Sequence, residues 1–305
     1  MPDGLLYITR YVIKSGIDEG WLKTVKRLVM VFLMLMLLCA GALGETVQFL
    51  NVTADTQQKH VDFGAKGVRD IEGLCAFLDQ LPALERVDMY ASKLTREQMD
   101  MLFERYPDVF FGWTVKIGDH TVRTDITAFS TLHGSSPKPP HTSDDFEKLK
   151  YCRNLLAIDI GHNWVEDISF LRYFPKLKVL ILGQNRIKDI APLAQLKELE
   201  YLELFSNHVR DYSALTGLTN LRDLNVKNNP CKDLSPLYQM TWLERFWAGC
   251  YVEIPKKQMK NMQEAIPGCE FDWRSMPTAG TWRKHAHYDV IHEMFTSGVY
   301  IPFDD

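Results

Sequence analysis

A period of 22 residues governs the middle of this chain. Leucine recurs at Leu155, Leu177, Leu199, Leu221 and Leu243. Asparagine keeps the interval at Asn163, Asn185, Asn207 and Asn229, and aspartate keeps it at Asp167, Asp189, Asp211 and Asp233. A fixed interval of this size is the signature of a solenoid, whose units bury their apolar faces only against one another. Each unit opens with a short strand whose alternate residues face inward: Ile158 and Ile160, Leu180 and Leu182, Leu202 and Leu204, Leu224 and Val226. Such a chain is built to display a surface.

A second internal match concerns the ends. Leu94 through Trp113 lies over Ile254 through Trp273 without a gap, at an offset of 160. Gln98/Gln258, Met99/Met259, Glu104/Glu264, Pro107/Pro267, Phe111/Phe271 and Trp113/Trp273 coincide. A solenoid needs atypical end units to close its core, and this pair of longer, helix-bearing repeats fits that need. Ahead of the repeats, a helix is predicted over Ile71–Leu81, a strand over Leu84–Met89 and a helix opening at Thr95 and running to Arg105. Met99, Leu102 and Phe103 are expected to point inward. Trp113–Ile117 and His120–Arg123 around Gly118-Asp119 read as a hairpin. In the tail, Tyr288, Ile291, Met294 and Phe295 form a helical stripe that Gly298 ends, and Val299–Phe303 is apolar enough to pack back on the body.

One unit reads Leu177-Lys178-Val179-Leu180-Ile181-Leu182-Gly183-Gln184-Asn185, the rung pattern of a leucine-rich repeat. Leu177 to Leu221 resembles the internalin-type class of bacterial leucine-rich repeats. The text Asn185-Arg186-Ile187-Lys188-Asp189-Ile190-Ala191-Pro192-Leu193 is echoed by Asn163–Leu171 and Asn229–Leu237. The end repeats resemble the longer ribonuclease-inhibitor type. The whole layout, including the closing Gly298–Phe303, is similar to exported leucine-rich-repeat proteins of gut Firmicutes. The resemblance implies an α/β solenoid: a short horseshoe with a parallel sheet on its concave face, binding protein or glycan. It supplies no catalytic residue and no cofactor. This chain departs from internalins in its few repeats, the lack of a visible wall-anchoring motif and the extra α/β material at the front.

The segments therefore read as signal sequence 1–44, linker 45–60, α/β N-terminal cap 61–130, Pro/Ser-rich loop and lead-in 131–150, four regular repeats 151–242, C-terminal capping repeat 243–273, and tail 274–305. Lys23, Lys26 and Arg27 precede an apolar run from Leu28, with Ala42 and Gly44 near its end, which describes a secretory signal. The run is about 16 residues, short of the roughly 20 that span a bilayer. An uncleaved anchor and a start placed too early stay open as alternatives. The expected location is secreted or cell-surface, with membrane contact by this segment during export. The remaining five cysteines, Cys75, Cys152, Cys231, Cys250 and Cys269, are an odd set, and buried thiols are the favoured reading. A net charge of −4 gives no concentrated basic face for nucleic acid.

The asparagine ladder reads as backbone hydrogen bonding between rungs. The aspartate ladder offers one carboxylate per rung, too few oxygens for a calcium cage, and reads as turn capping beside Ser169, Ala191, Ser213 and Ser235. His285, His287 and His292 lie in the tail without a converging spacing, so no metal site is expected there. Outward positions of the strands carry Tyr201, Glu203 and Phe205, Asp223, and Arg245 and Trp247. Aromatics and arginine dominate interface energetics, so these six are the expected partner-binding residues. Either that patch is open to a protein, or the tail, through Phe295 or Tyr300, covers it. A glycan stacking on Tyr201, Phe205 and Trp247 is the second ligand class. Enzyme chemistry in 61–124, at Asp88 or His120, is the third and least supported; no enzymatic motif appears.

Overall fold

The computed structural model describes residues 45–131, 140–249, 251–274 and 282–303. The expected signal sequence at 1–44, the middle of the Pro/Ser-rich loop at 132–139, Cys250 and the stretch 275–281 lie outside the described residues. The described residues form two compact units, one of 45–61 together with 72–84, the other of 62–71 together with those from 85 onward.

In the first unit, β1 (Thr46–Phe49) and β2 (Val52–Asp55) form an antiparallel hairpin. This corrects the reading of 45–60 as a linker. The stretch is polar on average, but Val47, Phe49, Val52 and Ala54 mark a paired alternation, with Val47 opposite Ala54 and Phe49 opposite Val52. After β3 (His60–Asp62), helix α1 (Ile71–Leu78) buries Leu74, Cys75, Phe77 and Leu78. The Phe77 ring lies 5.9 Å from that of Phe49. The helix stops three residues short of the predicted Leu81. Gln80 N–H donates to Phe77 O and Leu81 N–H to Leu78 O, the tighter bonding of a fraying end ahead of Pro82.

In the second unit, β4 (Arg86–Asp88) leads to α2 (Arg96–Arg105) and then to β5 (Phe110–Gly112), which pairs in parallel with β4. Thr95 closes a capping box at the start of α2: its hydroxyl accepts from Gln98 N–H, and the Gln98 side chain accepts from Thr95 N–H. Met99 and Leu102 are buried, whereas Phe103 stays half-buried, edge-on to Tyr151 and Tyr173. The predicted hairpin is β6 (Thr114–Ile117) with β7 (His120–Arg123), turned by Gly118 at φ +58°.

The repeats follow. Strand β8 (Ala128–Ser130) precedes the single-turn helix α3 (Ser143–Phe146). Then come β9 (Ala157–Asp159), β10 (Val179–Ile181), β11 (Tyr201–Glu203), β12 (Asp223–Asn225) and β13 (Arg245–Trp247). Helix α4 (Lys256–Ala265) and β14 (Glu270–Asp272) close the series, and α5 (Ala286–Ser297) lies in the tail. Strands β8 to β14 make one seven-stranded sheet in sequence order, every pair parallel. From β9 to β13 each partner is 22 residues on, so Leu180 sits opposite both Ile158 and Leu202. Short 3-10 turns such as Ala191–Gln195 return the chain between rungs. This is an α/β solenoid, and its inner core is the leucine and isoleucine set that the period marks.

A ladder of asparagines holds the rungs in register. His162, Gln184, Ser206 and Asn228 adopt φ between 54° and 59°, so the chain turns sharply just before each ladder asparagine. The amide behind it then bonds across rungs. Asn207 Nδ2 donates to Leu204 O of its own rung at 3.0 Å and to Leu182 O of the preceding rung at 2.9 Å, while its Oδ1 accepts from Ile187 N–H at 3.0 Å. Asn185 and Asn229 repeat the pattern. The aspartates act locally instead: Asp167, Asp189, Asp211 and Asp233 each accept from the N–H two residues on, at 2.8–2.9 Å.

The two ends repeat one design. Helix α2 then β5, and α4 then β14, stand at the offset of 160 that the sequence shows. Phe111 stacks on Trp113 at 5.1 Å and Phe271 on Trp273 at 5.4 Å, with interplanar angles of 15° and 7°.

Candidate functional site

The outward positions of the strands are where a repeat sheet offers side chains to a partner. Here they are covered. Residues 282–303 lie across the outer face and build a second apolar cluster there, from Ala128, Ala157, Val179 and Ile181 of the sheet to Ile291, Met294 and Phe295 of α5. Tyr201 and Trp247 are 0% exposed, Asp223 and Phe205 1%, Glu203 2% and Arg245 4%. The face expected to be open is closed by the chain itself, which is the alternative the tail's apolar stripe had left standing.

Trp282 is the anchor. Its ring centroid lies 5.5 Å from that of Tyr201 and 5.2 Å from that of Trp247. The Arg245 guanidinium sits 4.3 Å over the same ring and donates to Trp282 O at 3.1 Å. Gly298, in the left-handed region at φ +72°, ends α5, and its carbonyl accepts from Ala128 N–H on edge strand β8 at 3.1 Å. Tyr300 N–H donates to Thr127 Oγ1 at 2.7 Å. Phe303 ends the described chain between Tyr201 and His287, with centroids at 6.2 and 4.4 Å. Phe205 is the exception among the six. It packs toward its own rung neighbours, where Gly183 leaves room: a Cβ there would fall 2.2 Å from the Phe205 ring.

Charge is buried along with the aromatics. Asp223 accepts from Arg245 at 3.2 Å and pairs with His287 Nδ1 at 2.5 Å. Lys227, fully buried, reaches Asp272 at 2.7 Å and sits 4.6 Å over Trp247. Tyr201 donates its hydroxyl to Glu203. Burial raises the Glu203 carboxyl above its ordinary range. His285, 4.3 Å from His287, is lowered by burial and then by the Arg245 and His287 charges. Of the tail histidines, His287 thus pairs with the sheet and His285 with His287.

Asp159 carries a pH dependence. Burial pushes its carboxyl up to about 7, with the nearby Glu203 charge adding, against hydrogen bonds from Gly161 N–H and Ser130. The unfolded value is about 4, so the folded state holds this proton more tightly. That contribution to stability is complete below about pH 4 and is lost as pH rises toward 7. Asp159→Asn is expected to remove a slope worth on the order of 3 kcal/mol between about pH 4 and 7. Denaturant unfolding of both proteins across that range checks it, and parallel curves would contradict it.

Among the described residues, grooves lie open on either side of the strands. One of about 620 Å³ follows the ends of β11 and β12, with Lys188, His208 and Arg210 among its walls. The other, about 790 Å³, precedes β9 and β10, where Arg153 lies over Phe103 at 4.2 Å and Arg172 over Tyr173 at 4.4 Å.

Sequence reasoning missed Trp282, which lies outside the α5 stripe, and the pairing of His287 with Asp223. It had marked Asp223 as outward-facing. A buried outward carboxylate needs a cationic partner, and that need was the available signal.

A family profile described as Leucine Rich repeats (2 copies) matches residues 175–217 and again 197–239. With the rung register, this defines the fold as a leucine-rich-repeat solenoid. An internalin (inlF) of Listeria monocytogenes is similar over 76% of this chain and 59% of its own, at 20% identity and TM-score 0.43. Internalin C2 (inlC2) of the same organism is similar over 50% of this chain and 76% of its own, at 22% identity and TM-score 0.34. A leucine-rich-repeat protein of Leptospira interrogans is similar over 70% of this chain and 54% of its own, at 17% identity and TM-score 0.40. The chain thus spans 59% of the inlF structure's length. No curated protein sequence matches. Among the described residues no helix is long and apolar enough to cross a membrane.

Proposed function

We propose that this chain is an exported, non-enzymatic recognition scaffold of the internalin-like kind, and that its outer sheet face binds a polypeptide partner in competition with its own tail. One observation carries this reading: the face already holds a polypeptide. Tyr201, Glu203, Asp223, Arg245 and Trp247 are all buried under or bonded to residues 282–303. The grip combines aromatic stacking, a paired guanidinium and main-chain bonds at the β8 edge, the means by which sheets take up peptides. The basic-flanked apolar segment at Leu28–Gly44 supports export.

A crosslinking pull-down from the native cell surface tests this. Trp282→Ala weakens tail docking by about 3 kcal/mol, which raises the open fraction, and with it apparent affinity, by up to about a hundredfold. Phe303→Ala acts in the same direction and disturbs the core less. A disulfide from Thr127→Cys with Tyr300→Cys is expected to suppress capture until it is reduced. Identical partner lists for the wild-type, loosened and locked proteins would remove the outer face from consideration. Retention of soluble cell-wall polysaccharide that Trp247→Ala abolishes would favour the glycan reading instead.

A further inference from the structure

Away from the covered face, the β6–β7 hairpin meets the lead-in to the first rung, and three side chains of types able to ligate a metal converge there. Asp119 and His120 stand at the hairpin turn; His141 arrives 22 residues after Asp119. Asp119 Oδ1 lies 3.0 Å from His141 Nε2 and 3.3 Å from His120 Nε2. One donor atom from each of the three lies within 4.8 Å of the other two. Zinc bonds of about 2.0–2.1 Å set tetrahedral donors about 3.3 Å apart, so two of these spacings already match a shared ion.

The surroundings hold this arrangement rather than leave it to chance. His141 is pinned by its backbone: its N–H donates to Asn163 Oδ1 at 2.9 Å, and its carbonyl accepts from Trp164 N–H at 2.9 Å. The asparagine ladder therefore begins on this histidine. Gly118 is required beside it, since a Cβ there would fall 2.1 Å from the imidazole. Phe129 and Phe146 stand edge-on to His120 and His141, each at 5.9 Å, and give the donors an apolar backing. Asp145 Oδ2 lies 4.0 Å from His141 Nδ1, on the ring side away from Asp119. The Asp119 side chain is 68% exposed, so the outer side of the cluster faces water.

We propose that Asp119, His120 and His141 bind one divalent transition ion of the zinc class, with water or an outside donor in the fourth position. Two imidazoles and one carboxylate with an open position form a donor set of that class, whereas calcium and magnesium prefer all-oxygen cages. The ion fastens the β6–β7 hairpin to the first rung of the solenoid. A plain hydrogen-bonded triad, in which Asp119 merely accepts from two imidazoles, is the competing account.

Titration of the chelator-stripped full chain with Zn²⁺ by calorimetry separates the two. One equivalent is expected to bind, with a rise in melting temperature, and Co²⁺ in its place is expected to give the visible absorption of a tetrahedral ion. His120→Ala and Asp119→Asn are each expected to abolish this equivalent. Both residues are at least partly exposed, so these variants keep the fold testable where His141→Ala does not. His287→Ala, which alters a separate histidine cluster, is expected to leave the site unchanged. Absence of stoichiometric binding in the wild type would overturn the proposal, as would binding that survives both His120→Ala and Asp119→Asn.

Discussion

Asp223→Ala is expected to lower the unfolding free energy by about 3–5 kcal/mol, because it strips a buried arginine of its counter-charge. Asp223 and Arg245 are 1% and 4% exposed, and the same carboxylate pairs with His287 of the tail. Removing it leaves the Arg245 guanidinium with Trp282 O, the Trp282 ring and a glutamate oxygen at 3.9 Å, none of which replaces a carboxylate at 3.2 Å. Thermal unfolding is expected to fall by roughly 10 °C. The double replacement Asp223→Leu with Arg245→Met removes both charges and is expected to recover most of the loss, since paired apolar substitutes are often neutral. Equal instability of the single and double variants would show that shape, and not the unpaired charge, dominates.

Asn207→Leu is the second large effect. Burial is near complete at this side chain, and the apolar replacement cannot bond the Ile187 N–H or the Leu204 carbonyl. Leu182 O keeps its bond from Asn185 and Leu204 O its bond from Asn229, so the damage is confined to one backbone group, the Ile187 N–H. At about 1–3 kcal/mol for a buried group left unsatisfied, the expected cost is about 2 kcal/mol. Amide exchange provides a sharper check than a melting curve. Ile187 N–H is expected to exchange far faster in the variant, while Val165 N–H, held by Asn185, is expected to stay protected. Uniform loss of protection along the rungs would mean that the ladder acts cooperatively and not residue by residue.

The repeats were legible because a solenoid writes its contacts into a single interval. Leu177, Leu199 and Asn185 each do one job, and the same job recurs 22 residues away. The hairpin of β6 and β7, the capping box at Thr95 and the glycine end of α5 were legible for a similar reason: their determinants lie within a few residues. The β1–β2 hairpin escaped because its alternation spans only two apolar residues per strand. The six outward side chains were found as a group, yet their surroundings were not. Whether Tyr201 meets water or Trp282 depends on residues 81 positions apart, and no local pattern carries that distance. The Asp119, His120 and His141 cluster was missed on similar grounds. His141 follows a proline-rich stretch, and only the turn at Gly118 brings the other two donors to it.

The order of synthesis gives the covered face a further meaning. Every strand of the seven-stranded sheet precedes residues 282–303 in the chain, so the ribosome releases the sheet before its lid. A nascent or prematurely terminated chain that stops before Trp282 presents Tyr201, Trp247, Val179 and Ile181 bare, the kind of surface that draws chaperones and drives aggregation. For this molecule the residues from Trp282 onward decide whether that face is covered or sticky.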